Sequence, residues 1–104
     1  MRGLAAVVLF VACAPAALAA DAQAGRAKAR TCVPCHGASG IATHPAAPHL
    51  AAQPRVYLVE QLRNFRSGKR TDPVMTLIAK PLTDEDIEDL ALWYSSVSIE
   101  AKEP

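Results

Sequence analysis

Five adjacent residues, Cys32-Val33-Pro34-Cys35-His36, constrain this chain more than any other stretch. Two thiols separated by two residues share one short turn, and an imidazole follows at once. This is the attachment spacing of a c-type haem. Each thiol adds to one vinyl group of the porphyrin, and the next residue lies where an imidazole nitrogen can bind iron as the proximal ligand. A chain carrying such a group needs export, a second iron ligand, an apolar wrapping and a docking face.

Two other chemistries use Cys-x-x-Cys. Structural zinc takes four ligands. Beyond the pentapeptide the remaining cysteine is Cys13, which falls in an expected leader. His44 and His49 would then have to complete the set, at spacings unlike a zinc finger. A thioredoxin-like redox pair needs a βαβ context, and no convincing strand is present.

The N-terminus reads as a secretory signal peptide. Met1-Arg2-Gly3 is a short basic start, Leu4 to Ala14 carries no charge, and Ala17-Leu18-Ala19 is a small-residue cleavage site. The apolar run is too short to span a bilayer. Cleavage is expected after Ala19, which makes 1–19 a removed leader and 20–104 the functional domain. Phe10-Val11-Ala12 is a poor lead-in for Cys13 as a lipoprotein cysteine. Loss of Arg2 takes the eleven Lys+Arg to ten, equal to the ten Asp+Glu, and a neutral chain gives no sign of a nucleic-acid partner. So small a domain has a marginal core, which a buried porphyrin would enlarge.

Asp21 to about Thr31 reads as a helix, acidic at its start and basic toward its end. Gly25 inside it costs about 1 kcal/mol against alanine and hints at a close helix–helix contact. Gly37 to Gln53 reads as a long loop with two glycines and two prolines, unusual in a small domain unless it wraps something. Pro54 suits the first position of a second helix. Tyr57, Leu58, Gln61, Leu62 and Phe65 follow at helical spacing, and Gly68 is a natural stop. Arg63, Arg66, Lys69 and Arg70 crowd this end, either as dipole complementarity on a solvated face or as a basic rim that meets haem propionates or an acidic partner. Thr71 to Leu82 reads as a second loop. Thr83 then caps a last helix with Asp86 in capping-box spacing, and Ile87, Leu90, Ala91 and Tyr94 form its apolar stripe, flanked by Trp93.

Candidates for a second iron ligand are Met75, His44 and His49. Met75 is the one methionine outside the leader and sits in a proline-flanked segment 39 positions after His36. A thioether raises the reduction potential relative to a second imidazole. The two histidines lie close to the pentapeptide, so reaching the opposite haem face is awkward for them, and both read as exposed loop residues.

At this point the sequence resembles the class I cytochromes c, most closely the small periplasmic single-haem units of the cytochrome c-four type. The resemblance runs through Ala24-Gly25, Cys-x-x-Cys-His-Gly, Pro48-His49-Leu50-Ala51-Ala52-Gln53, Tyr57-Leu58, Gln61-Leu62, Gly68-Lys69-Arg70, Val74-Met75, Leu82 to Ile87 and Leu90 to Tyr94. It implies an all-α, class I cytochrome c fold, with three main helices and long loops wrapped around one covalent haem c and its iron. It implies Cys32 and Cys35 as thioether attachments, His36 as proximal ligand and Met75 as distal ligand. Pro48 matches the proline whose carbonyl accepts the other N–H of the proximal histidine, and Leu50 an apolar haem contact. Gly25 matches the glycine against which the last helix packs, with Leu90 and Trp93 opposite. The family commonly has glycine where Ala52 stands, so a negative φ is expected at Ala52.

The function expected is that of a periplasmic electron carrier, not an enzyme, docking weakly and briefly with redox protein partners. A haem subunit of a redox complex or a haem-based sensor is the alternative. A haem-free thiol oxidoreductase is a third reading.

Overall fold

The computed structural model describes residues 3–4, 6–14 and 19–104. The basic start at Met1-Arg2 and most of the cleavage site expected at Ala17-Leu18-Ala19 lie outside the described residues. Among those described, no helix is long and apolar enough to cross a membrane.

Five α-helices and no strand make up the described fold. Helix α1 spans Ala22–Lys28 and runs into a 3-10 turn, Ala29–Thr31. Asp21 starts it: its carboxylate accepts the N–H groups of Gln23 (2.8 Å) and Ala24 (3.3 Å), which are otherwise unpaired at a helix N-terminus. Helix α2 is a single turn, Val33–His36, with Pro34 near its start. Helix α3 spans Arg55–Ser67 and stops at Gly68, whose φ of +84° is costly for any side chain. Pro54 sits one position earlier than expected, as the cap rather than the first helical residue, because its ψ of 133° is extended.

The segment Thr71 to Leu82, expected as loop, contains a further helix, α4, Met75–Ala79. Its five residues are too few for a helical period to show. Side chains hold it instead. Asp72 Oδ1 accepts the N–H of Val74 (2.9 Å) and of Met75 (2.8 Å), and Thr76 Oγ1 accepts the N–H of Asp72 (3.0 Å). Helix α5, Asp84–Ser96, carries the expected capping box: Asp86 N–H donates to Thr83 Oγ1 at 3.1 Å, and Thr83 N–H to Asp86 Oδ2 at 2.9 Å.

Helices α1 and α5 cross at Gly25. A Cβ built there would lie 2.0 Å from the carbonyl oxygen of Asp89 and 2.8 Å from Cβ of Trp93. Trp93 is opposite the glycine as expected. The approaching backbone is that of Asp89, while Leu90 turns into the core. Asp89 itself is only 1% exposed and staples the crossing. It accepts the N–H of Asp21 (2.8 Å) and an ion-paired hydrogen bond from Lys28 Nζ (2.6 Å). Lys28 also reaches Asp86 at 3.1 Å. Hydrogen bonds to these carboxylates push Lys28 up to about 12, and the bond from Lys28 holds Asp89 below the usual carboxylate range. The core is Ala29, Leu58, Val59, Ile87, Leu90, Ala91 and Tyr94, so the predicted stripe of α5 is buried.

Gly37 to Gln53 is irregular but ordered by its own hydrogen bonds. Gly40 O accepts from Leu50 N–H (2.7 Å) and Ala51 N–H (3.1 Å), and Cys35 O from Thr43 and His44 N–H at 3.1 and 3.2 Å. Ala52 departs from expectation: its φ is +60°. Its N–H donates to Tyr94 O at 2.9 Å, and Gln53 N–H closes a turn onto Leu50 O at 3.2 Å. Ala52 is third in that turn, where positive φ belongs to glycine in type II geometry. Tertiary closure overrides the preference of alanine, at a strain of about 1 kcal/mol. Ala52→Gly is therefore expected to stabilise the protein by about 0.5–1 kcal/mol, part of the relief being lost to the freer unfolded chain. Denaturant unfolding of the two proteins checks this, and a less stable glycine variant would refute it.

Candidate functional site

The turn Thr31 to His36, the loop Ala46–Leu50, and helices α3, α4 and α5 enclose a cavity of about 450 Å³. Cys32, Cys35, His36, Pro48, Leu50 and Met75, the residues singled out from sequence, all line it. His49 does not, and His44 does from an exposed loop position. Much of the remaining wall is apolar, from Leu58, Leu62 and Phe65 of α3, Ile78 of α4, and Leu90 and Ala91 of α5, with polar side chains such as Gln61, Arg70 and Asp72 among them.

His36 is 6% exposed, and its Nδ1 lies 2.9 Å from Pro48 O. A carbonyl oxygen can only accept, so Nδ1 carries the proton. In the neutral ring this leaves the lone pair on Nε2, the form in which imidazole binds a metal. The two loop histidines are set the other way. His44 Nδ1 accepts the N–H of Ala46 (3.1 Å), and His49 Nδ1 that of Ala42 (2.8 Å). Both spend the Nδ1 lone pair on backbone, which leaves the proton on Nε2 in the neutral ring. Met75 opens α4, with its backbone N–H held by Asp72. That bond, then the one from Val74, holds the Asp72 carboxyl below the usual range.

Cys32 and Cys35 are half-buried free thiols. Burial pushes the Cys32 thiol up, and the neighbouring Tyr94 hydroxyl and Thr31 offset part of the rise. Burial likewise raises the Tyr94 phenol above its usual range, with Cys32 adding to it, so the hydroxyl keeps its proton. Tyr94 is 3% exposed, and its hydroxyl has no hydrogen-bond partner among the described residues.

The basic run at the end of α3 divides. Arg63 pairs with Glu88 at 3.5 Å, and Arg66 with Asp84 at 2.6 Å and with Leu82 O at 3.1 Å. These bonds tie α3 to the start of α5. Arg70 differs: it is the one Lys or Arg that lines the cavity among the described residues. Its guanidinium donates to Gln61 Oε1 at 2.9 Å and lies 4.6 Å from the Phe65 ring centroid, a cation–π contact. Sequence reasoning named the run but not this division. It also missed Asp72, although Asp-Pro with Thr four positions on is a legible helix-start signal.

The donors fit a covalent haem. Two thiols share one turn, the next imidazole lines a largely apolar cavity with its lone pair left on Nε2, a thioether lines the same cavity, and one cation lines it too. A small helical fold built round such a site is that of a c-type electron-transfer haem protein. The cytochrome c family model matches residues 22–98. Cytochrome c4 of Pseudomonas aeruginosa is 44% identical over 78 residues, covering 75% of this chain and 39% of the relative. Cytochrome c-554(548) of Halomonas halodenitrificans is 43% identical over 81 residues, covering 75% of this chain and 98% of the relative. The crystal structure of reduced recombinant cytochrome c4 from Pseudomonas stutzeri superposes with a TM-score of 0.72 at 37% identity, over 77% of this chain and 47% of that one. The chain thus spans about half or less of the length of the cytochrome c4 chains it matches. The chain belongs to the cytochrome c family, with covalently bound haem c and its iron as the cofactor, on the helical class I fold.

Proposed function

We propose that this chain is a single-haem electron carrier of the periplasm, exported by residues 1–19 and working as the domain 20–104. Cys32 and Cys35 are the thioether attachments, His36 and Met75 the axial ligands, and Leu50 an apolar contact. Bound haem supplies a one-electron Fe(II)/Fe(III) couple. The residues of the chain do the rest. Pro48 O fixes the His36 tautomer and makes the ring a better donor. The walls from α3 and α5 exclude water, which disfavours the extra positive charge of the oxidised state. Arg70 is the candidate to meet a haem carboxylate, as a guanidinium pre-set by Gln61 and Phe65.

The observation that carries this reading is the 2.9 Å contact of His36 Nδ1 with Pro48 O, in a cavity that Met75 also lines. With His36 and Met75 both holding the iron, no position on it would be left for a substrate, so carrying electrons fits better than catalysis. Redox protein partners, a donor and an acceptor, would dock weakly over a small interface.

The test is the absorption spectrum of the holoprotein, oxidised and reduced, for wild type and Met75→Ala. A c-type reduced spectrum with a weak far-red sulfur-to-iron band that disappears in the variant is expected. A far-red region that ignores the substitution would move the sixth ligand elsewhere and favour a sensor.

A further inference from the structure

We propose that Tyr94 is a haem-facing hydrogen-bond donor, its hydroxyl bonded to the thioether sulfur at Cys32, and that this bond raises the reduction potential. The inference rests on Cys32 being an attachment residue and goes beyond it by assigning the phenol a part in tuning the couple.

Three observations carry it. The first is that the hydroxyl is buried and without a partner among the described residues, while the side chain lines the cavity. A buried hydroxyl left unpaired is expensive, and native structures rarely keep one. The second is its surroundings. Cys32 packs against the core cluster to which Tyr94 belongs, and the other members of that cluster are apolar. Cys32 is the polar group at hand, yet the hydroxyl is outside hydrogen-bond geometry with it in the free-thiol form. Once the thiol has added to a vinyl carbon, the sulfur has no hydrogen and can only accept. The phenol, which keeps its proton, can only be the donor.

The third observation is that Tyr94 has little freedom to turn elsewhere. Its carbonyl accepts the N–H of Ala52 at 2.9 Å. Its ring edge lies 2.8 Å from where a Cβ at Gly40 would stand, so the loop closes directly over the ring. A hydroxyl fixed beside the sulfur presents its positive end to the porphyrin periphery. It draws density from the thioether and disfavours the added charge of the oxidised state, which is the second-sphere hydrogen-bond lever on a haem potential.

The test uses the covalently loaded holoprotein and Tyr94→Phe, which removes one oxygen and keeps the ring. The midpoint potential is expected to fall, read as a lower ratio of reduced to oxidised protein at a fixed applied potential. The folded-to-unfolded ratio is expected to drop about fivefold, the factor set by losing one net hydrogen bond. Resonance Raman of the wild type gives a readout that needs no variant: the Cys32 carbon–sulfur stretch should shift between water and deuterium oxide and should lose that sensitivity in Tyr94→Phe. An unchanged potential overturns the proposal, and so does a stretch indifferent to deuteration, the result expected if water satisfies the hydroxyl. A variant more stable than wild type would also overturn it, because removing a truly orphaned hydroxyl relieves a cost. Mass analysis of the Cys32 peptide separates the two layers: without haem there, the attachment reading itself fails; with haem there and no shift, only the role of Tyr94 does.

Discussion

Gly25→Ala is expected to destabilise the protein by about 2 kcal/mol or more, although alanine is the better helix former. The propensity gain is about 1 kcal/mol. Against it stands a Cβ 2.0 Å from Asp89 O and 2.6 Å from Asp89 C. Those atoms are helix backbone and cannot swing aside, unlike the end of a flexible side chain. To fit the methyl group, α1 and α5 must separate. Overpacking of this kind costs about 1–3 kcal/mol and occasionally more, and here the separation also loosens a second set of bonds. Asp89 is held at the same crossing by Asp21 N–H at 2.8 Å and Lys28 Nζ at 2.6 Å, and a buried carboxylate that loses its partners is costly. Denaturant unfolding of the variant holoprotein measures the sum. A midpoint within about 0.5 kcal/mol of wild type, the usual range for neutral substitutions, would show that the crossing tolerates a side chain.

What could be read in advance was what is local in the chain. The Thr83–Asp86 box, the stop at Gly68 and the pentapeptide are set by offsets of a few residues, and each appears at its expected place. The cavity brings together Cys32, Cys35, His36, Pro48, Leu50 and Met75, which are separated in sequence by up to a long loop and a helix. Three of them follow from the pentapeptide, and Pro48 and Leu50 came only through the family resemblance. What escaped was decided across the fold. Asp89 looks like one of several acids on the last helix, and only the approach of Asp21 and Lys28 buries it. Ala52 adopts a glycine-like φ of +60° because Tyr94 O and the Leu50 turn fix it there. Helix α4 was hidden between two prolines, since five residues show no period. Tyr94 belongs to the core stripe, but it also lines the cavity and carries a buried, unpartnered hydroxyl, and the pattern of an apolar stripe does not distinguish the two ends of a tyrosine.

Met75→His is expected to lower the midpoint potential of the holoprotein by a sizeable part of the roughly 0.8 V range that axial ligands set. The soft thioether donates little charge to iron, so it stabilises the oxidised state less than imidazole does, and exchanging one for the other favours oxidation. The local structure suits the exchange. The position of residue 75 is fixed through its backbone, by the 2.8 Å bond from its N–H to Asp72 Oδ1 and by the 3.0 Å return bond from Asp72 N–H to Thr76 Oγ1. Neither bond involves the side chain of residue 75, so α4 should start in the same place with an imidazole there. His44 and His49, whose Nδ1 atoms are already committed to Ala46 and Ala42, do not compete for the same role without first giving up those bonds. Redox titration of wild type and variant, read alongside the far-red band, decides the matter. A lower midpoint with the band gone fits Met75 as the distal ligand. A potential that stays level or rises would mean that the sixth ligand comes from another residue, and the electron-carrier reading would then have to be rebuilt around that residue.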